Sequence, residues 1–136
     1  MNDQNIHDLS EVIRSNPEDA AAYLNRGYAY FQKGDDDKAI ENFDSTVRIC
    51  SNYETDFIDS NFVHGGKEAV EAAIELLNSR VNTPPESATD FYYTGVEALF
   101  HNNKMTAWRA FKMALELGYE DQTKIKRHLE NLKHRK

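Results

Sequence analysis

The chain has 136 residues, room for one domain, and 16 Lys+Arg against 23 Asp+Glu give it a net charge of −7. With 40% apolar and 29% charged residues it can bury a core, and only 6 Gly and 3 Pro argue against a turn-rich β-sandwich. A single cysteine, Cys50, excludes an internal disulfide framework and a multi-cysteine zinc site, and no apolar run approaches the ~18 residues of a membrane span.

The N-terminal run Met1-Asn2-Asp3-Gln4-Asn5 lacks the basic start and apolar stretch of a secretory signal, so a soluble cytoplasmic protein is expected. Ile6, Leu9, Val12 and Ile13 predict a short amphipathic helix over 4–15, before Pro17. Ala20 to Lys33 reads as a second helix. Gly34 can end it in a left-handed conformation, and Asp35 or Asp36 can cap the next. That next helix, Asp36 to Cys50, carries Ala39, Ile40, Phe43, Val47 and Ile49 at helical steps. A shortened helix over 54–63 should stop before Gly65-Gly66. Lys67 to Val81 then gives a wide apolar face of Ala69, Val70, Ala73, Ile74, Leu76 and Leu77. Asp90 to His101 and Lys104 to Leu117 form another pair, broken at Asn102-Asn103. Ile125, Leu129 and Leu132 close the chain with a helix over 122–133.

The chain repeats itself. Pro17, Tyr23, Gly27, Ala39, Phe43, Val47 and Ile49 recur 68 residues later as Pro85, Phe91, Gly95, Ala107, Phe111, Leu115 and Leu117. A glycine inside a helix costs ~1 kcal/mol against alanine. Two such glycines, each four residues after an aromatic, therefore predict a close approach between paired helices. Ala39 and Ala107 are the expected small surfaces opposite.

The order Tyr23, Gly27, Tyr30, Ala39 and Phe43 resembles the tetratricopeptide repeat, a helix-turn-helix unit of about 34 residues. The unit at 85–119 is similar through Phe91, Gly95, Ala107, Phe111 and Ala114, with Ala98 in the tyrosine's place. Arg26 and Thr46 depart from the family's usual leucine and alanine. The resemblance implies an all-α, right-handed superhelix of about eight helices. Its units are repeat 1 over 20–53, a degenerate repeat 2 over 54–87 and repeat 3 over 88–121, between caps at 4–15 and 122–133. With Met1 and both caps present, a complete small protein is expected.

Chemistry is sparse. His7, His64, His101, His128 and His134 form no pair at i+3 or i+4, so there is no local metal-binding pair. No base accompanies Cys50, and Gly65-Gly66-Lys67 lacks the rest of a phosphate loop. Asp35-Asp36-Asp37 reads as a solvated helix start. No enzymatic role and no cofactor are expected.

The resemblance implies that the first helix of each unit lines a concave groove that binds partners. A second apolar stripe on those helices fits: Leu24, Tyr28 and Phe31; Ile58 and Phe62; Tyr92, Val96, Leu99 and Phe100. One subclass of the family grips acidic chaperone tails through Lys, Asn and Arg. Here Leu24, Tyr28, Thr89 and Tyr93 stand at those places, so that clamp is absent, while Asp56, Asp59, Asp90 and Glu97 make the inner helices acidic. The expected role is an adaptor or scaffold holding an apolar or basic peptide or helix. The alternatives are self-association through the same aromatics and binding of nucleic acid or an anionic surface by the C-terminal helix. Residues 122–136 carry 6 basic and 1 acidic side chains, against 10 and 22 over 1–121.

Overall fold

A computed structural model describes residues 2–51, 66–81 and 84–133. Among them lie seven helices and no strand: α1 (Asn2–Ser15), α2 (Ala20–Lys33), α3 (Asp36–Ser51), α4 (Gly66–Ser79), α5 (Ala88–Phe100), α6 (Lys104–Glu116) and α7 (Gln122–Lys133). The all-α architecture of helix pairs is as the sequence predicts. The helix expected over 54–63, with Ile58, Phe62, Asp56 and Asp59, lies outside the described residues.

The two hairpins are built alike at their corners. Asp19 caps α2 by accepting from Ala22 N at 3.0 Å. Gly34 ends that helix at φ +93°, with its N–H donating to Phe31 O and the Asp35 N–H to Tyr30 O at 2.9 Å. Asp35 Oδ1 then accepts from Lys38 N. In the later pair Asn102 takes the left-handed place at φ +57°, Asn103 N donates to Ala98 O at 2.8 Å, and Asn103 Oδ1 accepts from Thr106 N. Each step falls 68 residues after its counterpart. Helix α5 begins before the expected Asp90. Ser87 Oγ accepts from Asp90 N, and Asp90 Oδ2 accepts from Ser87 N and Glu86 N, a capping box that adds a half-turn.

Both helical glycines sit where another side chain presses in. A Cβ on Gly27 would lie 2.7 Å from the Phe43 ring and 3.2 Å from Ala39 O; one on Gly95 would lie 2.6 Å from the Phe111 ring. The close approach is as expected, but its partner differs. Ala39 and Ala107 are fully buried, yet the atoms filling the space over each glycine are mainly those of the phenylalanine one turn on.

Hairpin α2–α3 and hairpin α5–α6 do not stack as an isolated row. Helix α4 packs on α2 and α5, the first helix of each pair, and also on α3; α3 reaches α5. Helix α1 lies on α2. Helix α7 covers α6, as a terminal cap should, but it also returns to α3 of the first pair. The core runs through all these layers, with Leu24, Phe43, Leu77, Phe100, Phe111 and Ile125 enclosed.

Candidate functional site

The N-terminal helices leave an open cleft of about 400 Å³ between them. Helix α1 contributes Asn5, Asp8 and Leu9, spaced i, i+3, i+4; α2 contributes Asn25, Tyr28, Ala29 and Gln32, spaced i, i+3, i+4, i+7. Each set therefore projects along one helical face. Leu9, Ala29 and Tyr28 give the lining apolar surface, and three amides, Asn5, Asn25 and Gln32, share it. An amide both donates and accepts, so this lining can pair with peptide groups in either sense. Asp8 is the one charged residue in the lining, and its Oδ1 accepts from Gln4 Nε2 at 2.9 Å. The long side chain of Arg26 is drawn away from this face. Its Nε donates to Asn42 Oδ1 at 2.7 Å and its other nitrogen to Ser10 Oγ, tying α1, α2 and α3 together.

The expected groove residues divide sharply. Tyr28 lines the cleft, and Phe31 is half-buried against the core from the same helix. Leu24, Tyr92, Val96, Leu99 and Phe100 are buried and offer no free surface. The reason is packing: α4 lies across both first helices, and Phe100 meets Phe43 edge-on with ring centroids 6.1 Å apart. Ile58 and Phe62 lie outside the described residues. Of the inner acidic residues, Asp90 is buried and occupied by its cap, and burial raises Glu97 despite His101 one turn on. Cys50 is buried, which pushes its thiol up to about 12 and makes it a poor nucleophile.

A buried polar cluster joins three helices that sequence reasoning did not connect. Asp44 on α3 accepts from the Tyr92 hydroxyl of α5 at 2.6 Å, and its Oδ1 lies 2.7 Å from His128 Nε2 of α7. Arg48 Nε stands 3.6 Å from the other carboxylate oxygen, and Asn131 donates to Arg48 O at 3.0 Å. The His128 ring stacks on Phe111 with centroids 4.3 Å apart, and Tyr92 stacks on Tyr119 at 4.6 Å. Burial alone would push the Asp44 carboxyl up; His128, Tyr92 and Lys124 outweigh it and hold the group below its ordinary value. Burial, with Asp44 alongside, pushes the Tyr92 phenol well above its usual range. His128 was legible in the spacing, since it falls between Ile125 and Leu132 at steps of three and four. A stripe counted from apolar residues alone passes over it. This cluster is a structural latch with no opening to a substrate, all three side chains being buried.

Among the described residues no group of three or more His, Cys, Asp or Glu is arranged to hold a metal ion, and no helix is long and apolar enough to cross a membrane. Paired helices whose glycine-to-aromatic joints recur 68 residues apart define a helical-hairpin repeat architecture. Residues 3–54 match the family model of the tetratricopeptide repeat, so this stretch is similar to that family. Comparison with curated proteins and with solved structures gave no significant match.

Proposed function

We propose that the protein is a non-catalytic adaptor that holds an apolar or basic segment of a partner protein in the α1–α2 cleft, in the cytoplasm. The observation that carries this reading is the lining itself: Leu9, Ala29 and Tyr28 as apolar surface, three amides beside them, and Asp8 as its sole charge. Tyrosine is a favoured anchor because it combines a large apolar ring with a polar tip. A carboxylate with no lysine or arginine in the lining disfavours an acidic tail and favours a basic or neutral one. The similarity of residues 3–54 to the tetratricopeptide repeat, a unit that commonly binds proteins, supports the same class of function. Of the stripe predicted to line a concave groove, Tyr28 keeps a partner-binding role in this reading.

The test is a peptide array carrying basic amphipathic, neutral and acidic segments, probed with the wild-type protein and with Tyr28→Ser and Leu9→Ser variants. Basic or neutral segments should bind, and each variant should weaken their binding about tenfold or more, roughly the 1–2 kcal/mol expected of a truncated interface anchor, while acidic segments should not respond to either variant. An unchanged array pattern in both variants, with helix content by circular dichroism intact, would refute the assignment of the cleft.

A further inference from the structure

Helix α6 buries Ala107, Ala110, Phe111 and Ala114. The opposite side of the helix carries Met105, Arg109, Lys112, Met113 and Glu116, with Leu117 just past its end. Met105 is 62% exposed, Leu117 48% and Met113 40%, three of the four large apolar residues exposed among the described residues. Trp108 borders this face, half-buried, with Lys112 Nζ 5.8 Å from its ring centroid. Neither Arg109 nor Lys112 has an ion pair among the described residues.

The charge of this end is the reverse of the rest. Residues 104–133 hold 7 Lys+Arg against 4 Asp+Glu, whereas residues 1–103 hold 7 against 19. Exposed methionines next to two cations without an ion pair, with Glu116 the single carboxylate on the helix, call for a particular complement. Apolar surface gains from being covered, and flexible methionines adapt to what covers them. The two cations select a cover that carries carboxylates, because like charge opposite them would cost several kcal/mol. From Met105 to Leu117 the face runs for about 18 Å at 1.5 Å per residue, the length of a short helix laid alongside.

We propose that the outer face of α6 docks an acidic amphipathic helix of a partner protein, its apolar residues on Met105, Trp108 and Met113 and its carboxylates on Arg109 and Lys112. The α1–α2 cleft is not part of this surface. The proposal stands whether or not that cleft binds anything, and together the two would make the molecule a bridge between two partners.

Trp108, the chain's one tryptophan, reports directly on the site. The probe is a set of synthetic acidic amphipathic helices of about sixteen residues, with Leu or Phe at i, i+3 and i+7 and Glu on the flanks. Titration should give a saturable change in Trp108 emission. The double variant R109E and K112E should bind at least tenfold more weakly and should instead prefer the same helices with Lys for Glu. Tyr28→Ser should bind the acidic set like wild type. The proposal is overturned if no member of the set binds, or if the double variant binds the acidic set unchanged while keeping its helix content. It is equally overturned if sizing shows concentration-dependent assembly that the double variant abolishes, which would make a second copy the occupant. Binding of phosphatidylserine vesicles to this face in preference to every peptide would overturn it in favour of a lipid surface.

Discussion

Gly27 and Gly95 show how one missing Cβ positions a hairpin. The helix loses ~1 kcal/mol of propensity at each, and a phenylalanine ring takes the space. Gly95→Ala recovers that propensity but forces a methyl to within 2.6 Å of Phe111, a fully buried ring with no room to retreat. Overpacking of this kind costs typically 1–3 kcal/mol, so steric strain outweighs propensity. The expected result is a thermal midpoint several degrees lower, and Phe111→Leu in the Gly95→Ala background should recover part of it in a double-mutant cycle. Strict additivity of the two losses would show that the ring and the methyl do not meet.

At the scale of elements, each corner is set by a residue in the left-handed region. Gly34 does this at φ +93° with no atom within 4 Å of where a Cβ would be, so a side chain there meets open space and only the backbone objects. Gly34→Ala should therefore cost about 1–2 kcal/mol, the usual left-handed penalty. Gly34→Asn should cost clearly less, because Asn102 holds the equivalent place in the second hairpin. Chemical denaturation of the two variants checks the ranking, and equal losses would contradict it. The same corners explain what was legible in the sequence. Gly34-Asp35 and Asn102-Asn103 announced the breaks, and α2 and α7 have their predicted bounds. The start of α5 was missed because Ser87 and Asp90 form a reciprocal cap in a stretch read for its apolar period. The groove stripe was misjudged in part for a related reason. Periodicity identifies a second apolar face but not what covers it, and α4 lies across Leu24's helix and Tyr92's helix.

At the scale of the whole molecule, the Asp44–Tyr92–His128 latch links the first pair, the last pair and the C-terminal helix. Its pH dependence follows from two shifts. Asp44 is held below its unfolded value, so its contribution is fully present above about pH 4 and is lost as pH falls through the lower folded value. Tyr92 is raised, so its contribution is present below about pH 10 and is lost as pH rises beyond the point where an unfolded tyrosine ionises. Urea midpoints measured against pH should show a plateau between these limits. Asp44→Asn should flatten the acid limb, and Tyr92→Phe should lower the plateau by about 1–3 kcal/mol, the cost of removing a buried partner from a charged group. An acid limb of unchanged steepness in Asp44→Asn would assign it to other carboxylates.

The latch also bears on how the chain is made. Asp44 meets its histidine 84 positions downstream, so a ribosome that has released the first hairpin has not yet supplied the imidazole that partners it. Repeats that touch only their neighbours can settle one after another during synthesis. Here the α2–α3 pair must wait, its carboxylate hydrated and its seat unfilled, until the 84 residues that follow Asp44 up to His128 have been added.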